Sequence, residues 1–280
     1  MAHSILDISQ PGKSGVWLDF YAYAANLLAK GNLPWLDQAQ FVSFLATAQS
    51  LLRSDVISLP LESLAEALLD DDLRAAMKAK SRPGFPLRTL LQDAKLRDTV
   101  TGLLVPLRAS HPGLPLSLLL PSPRRWLAGA YQSAHGEALD PEVAGDNDEI
   151  DSAAVYLADF LRCFADSNID ALLLLENPGE APSGAEQWAC YDPVINIAKH
   201  YRWQVGVLDP APAAPLSAGS GIDFCIAPAL AAGTPGGLML DPAFWQGAAA
   251  PSLEPGQFRY AAIPAGATPE TVLQQLAQLR

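Results

Sequence analysis

Two apolar runs set the pattern of the chain. Pro115-Leu-Ser-Leu-Leu-Leu-Pro-Ser-Pro123 and Ile169-Asp-Ala-Leu-Leu-Leu-Leu-Glu-Asn177 are strand-length, apolar at consecutive rather than alternate positions, and closed by polar or turn-forming residues. A strand covered on both faces of a parallel sheet has this pattern, because neither face meets water. Between the runs, Ser152 to Asp166 puts Ala153, Leu157, Phe160, Leu161 and Phe164 on one side of a helix, with Asp151 or Ser152 placed to cap it. The unit is strand, helix, strand.

The same unit recurs on either side. Gly15 to Phe20 reads as a first strand ending near Asp19. Asp37 caps a helix that buries Phe41, Phe44, Leu45, Ala48 and Leu52, and Asp55 to Glu62 follows as a second strand. An acidic helical stretch, Leu64 to Met77, is broken by Ser81-Arg-Pro-Gly84. A second runs from about Leu87 to Arg108, with Pro106 expected to kink or stop it. After Asn177, Pro178 to Gly184 is a loop, Asp192-Pro193 opens a helix with aspartate as cap, and Gln204 to Asp209 is a strand. Ala211 to Gly221 reads as a mobile loop. Asp223 to Ala227, Gly237 to Leu240 and Phe258 to Ile263 are weaker strands, and Thr268-Pro269 starts a last helix.

About eight strands alternating with helices predict an α/β fold, a (β/α)8 TIM-type barrel with abbreviated later βα units, in one domain over 1–280. An open doubly wound sheet is the alternative.

Composition narrows the partners. Half of the 280 residues are hydrophobic, enough for a full core. The 18 basic and 30 acidic residues give a net charge of −12 without a basic run, which argues against nucleic acid and against membrane surfaces. Met1 to Asp7 has neither a positive start nor an apolar signal core, so a cytoplasmic location is expected. Cys163, Cys190 and Cys225 are odd in number and widely spaced, and read as packing residues rather than as a disulfide or a thiolate metal site. Neither a metal nor a cofactor is expected. A glycine-rich phosphate loop and the Gly-x-Ser-x-Gly nucleophile pattern are both missing.

Three stretches resemble the uroporphyrinogen decarboxylase superfamily, to which cobalamin-independent methionine synthase is related. They are Leu51-Leu-Arg-Ser-Asp-Val-Ile-Ser-Leu-Pro-Leu-Glu62, the run from Val105 to Gly136 containing PLSLLLPSPRRWLAGAYQSAHG, and Tyr156 to Asn177, YLADFLRCFADSNIDALLLLEN. The likeness covers roughly half the chain and lies in spacing and hydrophobic pattern. By that resemblance Glu62 stands where the decarboxylases carry a catalytic aspartate, and a homodimer is implied. The chain departs from the decarboxylases in lacking their arginine-rich N-terminal signature. It departs from the zinc-dependent methyltransferases in that the strand ending Val205-Gly-Val-Leu-Asp209 has no His-x-Cys pair.

In a barrel, chemistry sits at the C-terminal strand ends. The acids there, Glu62, Asp19 and Glu176, are the catalytic candidates, suited to moving protons or holding a cationic intermediate. Arg124, Arg125, Ser122, Asn177 and Asp209 are the substrate-binding candidates, the arginines because a guanidinium pairs with a carboxylate through two donors. Asp241 stands at a similar position. Six of these have a plainer alternative: helix-start carboxylate for Glu62, turn residue for Glu176, Asn177 and Asp209, solvated first turn for the two arginines; Asp19 depends on the first strand being real.

The expected function is proton transfer and carbon-bond cleavage, of lyase or decarboxylase type, on a small carboxylated or aromatic metabolite. Methyl transfer to or from a corrinoid or folate partner is one alternative, and a non-catalytic binding descendant of the barrel is the other.

Overall fold

The computed structural model describes residues 3–9, 14–182, 184–212 and 219–280. Eight parallel strands make one sheet: β1 (Val16–Asp19), β2 (Ile57–Pro60), β3 (Leu116–Pro121), β4 (Ala171–Leu175), β5 (Gln204–Leu208), β6 (Phe224–Ala227), β7 (Gly236–Met239) and β8 (Gln257–Ala262). Their order, β1-β8-β7-β6-β5-β4-β3-β2, pairs β1 with β8, Val16 opposite Arg259, so the sheet curls into a nearly closed (β/α)8 barrel of TIM type.

The remaining seam, between β1 and β2, has no strand ladder and is bridged instead. The Asp55 N–H donates to the Val16 carbonyl and the Val16 N–H to Asp55 Oδ2, both at 2.8 Å. The Leu18 N–H donates to Ser54 Oγ at 3.0 Å, and the Trp17 indole N–H to Ser58 Oγ at 2.8 Å. Asp55 Oδ2 and Ser54 Oγ thereby take the Val16 and Leu18 N–H groups that a ladder would otherwise satisfy, since a buried backbone N–H without a partner is costly.

Period-two alternation divides the strands' side chains between two cores. Trp17, Leu119, Leu173, Leu208, Phe224, Ile226, Phe258 and Tyr260 fill the lumen. Val16, Leu18, Ile57, Leu59, Leu118, Leu120, Leu172, Leu174, Val205 and Val207 pack outward with the helices. Burial on both faces is why the strands read as unbroken apolar runs. A 3-10 turn, Ile5–Ile8, closes the lumen from below. Ile5 is fully buried there, its N–H on Gln204 Oε1 at 2.6 Å, while the His3 N–H donates to Asp170 Oδ1 at 2.8 Å.

The helices are α1 (Tyr21–Ala29), α2 (Gln38–Leu52), α3 (Leu61–Leu68), α4 (Asp71–Met77), α5 (Phe85–Gln92), α6 (Ala94–Ser110), α7 (Pro123–His135), α8 (Pro141–Ala144), α9 (Asn147–Arg162), α10 (Ala185–Ala189), α11 (Asp192–Tyr201) and α12 (Pro269–Ala277). Asp37 caps α2 and Thr268 caps α12, as the sequence predicts.

Several boundaries differ from expectation. Leu61 and Glu62 belong to the first turn of α3 rather than to β2. The helix expected from Ser152 begins at Asn147, because Asp146 accepts the N–H groups of Asp148 and Glu149 and turns a polar run into a capped first turn. The Leu87 to Arg108 helix is two, separated at Asp93, whose carboxylate caps α6; Pro106 lies inside α6, which continues to Ser110. Tyr191, not Asp192, is the cap position of α11. After β7 only a 3-10 turn, Pro242–Gln246, stands where a helix could be. The expected loops Ala211 to Gly221 and Pro178 to Gly184 lie partly outside the described residues, at 213–218 and 183, as do Met1 and Ala2 of the N-terminal stretch. Among the described residues no helix is long and apolar enough to cross a membrane.

Candidate functional site

The eight strands carry only two charged residues, Asp19 and Arg259. Asp19 ends β1 two positions beyond Trp17, in the register that faces the lumen, whereas Arg259 alternates to the outside and donates to the Pro251 carbonyl. At the same end, Leu175 and Met239 pack on the lumen core while remaining partly accessible, and Tyr260, the register partner of Met239, is buried. Asp19 lies deep in the molecule, yet part of its surface meets solvent.

Burial raises the Asp19 pKa, opposed by the Tyr21 backbone N–H. Its charge in turn adds to the burial that pushes the Tyr260 phenol well above its ordinary range.

A second acid stands behind the wall. Glu176 follows β4 in the register of Leu172 and Leu174, toward the helices, and is 2% exposed. Its Oε2 accepts the Ser122 hydroxyl and its Oε1 the Tyr191 hydroxyl, each at 2.7 Å. Burial raises the Glu176 carboxyl to about 7, against the two hydrogen bonds from Tyr191 and Ser122; nearby Asp209 adds to the rise and Arg124 opposes it. Asp209 is itself buried, with Oδ1 accepting the Ala211 N–H at 2.9 Å in a turn that leaves β5. Ser122 has two partners, since its Oγ also accepts the Arg125 N–H at the start of α7.

The remaining candidates are occupied by the protein. Arg125 pairs with Glu62 at 2.5 Å, both about one-third exposed, on the outer layer between α3 and α7. Burial still raises the Glu62 carboxyl, the Arg125 charge opposing. Arg124 Nη1 donates to the Glu180 carbonyl at 2.9 Å, and Asn177 donates to Glu180 Oε2 at 3.1 Å, so both hold the loop after β4. Asp241 caps the 3-10 turn through the Ala243 N–H.

The structure thus gathers Ser122, Glu176, Asp209 and Arg124 into one cluster, isolates Asp19 in the lumen, and puts Glu62 with Arg125 outside both. Two residues escape sequence reading, Tyr191 and Tyr260. Tyr260 is legible as a lumen position once β8 is in register, but Tyr191 is not: it belongs to no strand end and reaches Glu176 only through the packing of α11. Among the described residues no three or more His, Cys, Asp or Glu side chains are grouped to hold a metal ion. No protein-family model matches the chain, and no curated protein matches it significantly.

Proposed function

We propose that this chain is an acid–base enzyme of lyase type that cleaves a carbon bond, as in decarboxylation, on a small aromatic or carboxylated metabolite. The observation that carries the reading is Asp19, the one acid in the eight strands, at the C-terminal end of β1 in the register of a lumen filled by apolar and aromatic side chains such as Trp17 and Tyr260. Burial favours the protonated form of this carboxyl, which can give its proton to carbon as the bond electrons return there, then reload from water. Leu175 and Met239, partly accessible against the lumen core, offer apolar surface to a flat or apolar substrate body. The resemblance to the uroporphyrinogen decarboxylase superfamily supports the same class, working without a redox cofactor, and the cytoplasmic setting expected from the N-terminal stretch goes with this reading. Glu62, the residue that resemblance would favour, is engaged with Arg125, and the acid role passes to Asp19.

The test is carbon dioxide release from a panel of small aromatic and aliphatic carboxylates, with wild type beside Asp19→Asn. Turnover by wild type that falls at least 100-fold in Asp19→Asn, with circular dichroism unchanged, supports the reading. Turnover that survives in Asp19→Asn overturns Asp19 as the acid. Retention of a small molecule in native mass spectra without turnover of it moves the chain to the class of binding proteins.

A further inference from the structure

On the outside of the barrel α9 forms the floor of a groove of about 450 Å³, walled by α5 on one side and by the start of α11 on the other. Positions a turn apart share a helix face, and the groove is lined in that way by Arg88 and Leu91 of α5 and by Val155, Asp159 and Arg162 of α9. Asn196 closes it from α11. None of the residues that fill the lumen takes part, so the groove is separate from the barrel mouth and from Asp19.

Its cations are unspent. The guanidiniums of Arg74, Arg97, Arg108, Arg124 and Arg125 donate to protein oxygens. Among the described residues those of Arg88 and Arg162 meet no oxygen: Arg88 lies over the Tyr156 ring, 6.0 Å from its centre, and Arg162 is exposed. The one acid lining the groove, Asp159, is already met by Arg97 Nη2 at 3.0 Å, and Arg97 is itself anchored through Nε on the Leu91 carbonyl at 2.7 Å. Positive charge is therefore in excess here, in a chain whose net charge is −12. Between the two free cations Val155 adds apolar surface, being 48% exposed.

We propose that this groove binds a small organic dianion, such as a dicarboxylate whose two ends are joined by an apolar body. Charge selects the ends, because a guanidinium pairs with a carboxylate through two parallel donors and Arg88 and Arg162 have no protein oxygen to compete. Spacing selects a ligand with two of them. Arg88 stands at Tyr156 and Arg162 is six residues further along α9, about 9 Å of helix rise, so one compact anion cannot serve both positions. Val155 lies against the stretch between them and takes the apolar body. The volume is that of a small-molecule site, which runs from about 300 to 1,000 Å³.

The experiment is a proton–nitrogen NMR titration of the full chain with octanedioate, whose extended form sets its carboxylates about 9 Å apart, beside octanoate and inorganic phosphate. The proposal expects saturable shifts at amides of α5, α9 and α11 with a Kd below about 5 mM, weakened by added salt. Octanoate and phosphate should each bind at least about threefold more weakly, as should octanedioate to Arg88→Gln and to Arg162→Gln, the scale of one exposed ion pair. Circular dichroism should be unchanged in both variants. Lys78→Gln, exposed at the end of α4 and outside the groove, is the charge control and should bind as wild type does. Octanoate or phosphate binding as tightly as octanedioate overturns the proposal, as does a titration without saturable shifts. Shifts centred on Asp19 and Leu175 also overturn it, since they would assign the dianion to the barrel mouth and leave the reading of Asp19 intact.

Discussion

The Tyr191 hydroxyl donates to Glu176 Oε1 at 2.7 Å across the gap between the start of α11 and the end of β4. Glu176 would otherwise face burial with one oxygen served by Ser122 and the other by nothing. Removing the phenol oxygen therefore acts on stability and on protonation together. Tyr191→Phe should cost about 1–3 kcal/mol, the penalty for an unsatisfied buried acceptor. It should also move the Glu176 titration above about 7, since that hydrogen bond favours the ionised form. Chemical denaturation gives the first quantity, and carbon-13 NMR of the glutamate carboxyls against pH the second. A Glu176 titration that does not move in Tyr191→Phe would remove the coupling.

Glu176 also makes stability depend on pH with a definite sign. Its carboxyl ionises near its ordinary 4.5 in the unfolded chain and near 7 in the folded one, so between those values the folded state holds the extra proton. Stability from this group is then full below pH 4.5, falls as pH rises, and is flat again above about 7. The loss across that window is roughly 3 kcal/mol. Glu176→Gln keeps an acceptor for Tyr191 and a donor toward Ser122 but cannot ionise. Its stability relative to wild type should climb by up to that amount between pH 4.5 and 7.5, as read by urea unfolding at both ends. A constant difference would show that Glu176 does not titrate in this range.

How far these relationships could be read from the sequence depends on the length scale of the physics. The strands were legible because burial on both faces leaves runs such as Leu118-Leu-Leu120 and Leu172-Leu-Leu-Leu175, and the cap of α2 because Asp37 bonds an N–H three residues on. Asp19, Ser122, Glu176 and Asp209 were legible as strand-end polar residues. What each touches was not. Glu62 and Arg125 are 63 residues apart and meet only because α3 and α7 follow neighbouring strands, and Tyr191 meets Glu176 only through helix packing. The start of α9 was misplaced for a local reason: Asn147, Asp148 and Glu149 look like loop until Asp146 is recognised as their cap.

The β1–β2 seam predicts a local weakness. Ser54 Oγ accepts the Leu18 N–H and donates to the Val56 carbonyl at 2.8 Å, tying both edges where the ladder is missing. Ser54→Ala leaves both backbone groups buried without that partner and should cost about 1–3 kcal/mol. Amide exchange should speed up at Leu18 before it does at residues of β4, because opening there is local rather than global. Uniform acceleration over the sheet would mean that the seam opens only with the whole barrel.

The stability of an Asp19 variant tests the proposal that this acid serves chemistry rather than the scaffold. A carboxylate that builds the fold, as Asp37 does at α2, loses about 1 kcal/mol when its charge and acceptor are altered. Asp19 differs in its depth: burial disfavours its charge, and the Tyr21 backbone N–H at the start of α1 opposes that, a bond an asparagine oxygen can also accept. A raised folded pKa has the same sign as for Glu176, so ionised Asp19 weakens the fold as pH rises above the ordinary carboxylate value of 3.8. Asp19→Asn removes that burden while keeping the size of the side chain. The variant should be at least as stable as wild type at pH 8 and should gain less, or nothing, near pH 4, which thermal unfolding at the two pH values measures. Sites that trade stability for chemistry behave in this way. A clear loss of stability in Asp19→Asn at pH 8 would instead make the residue part of the scaffold, and the proton-transfer reading would lose the one group in the strands that can carry it.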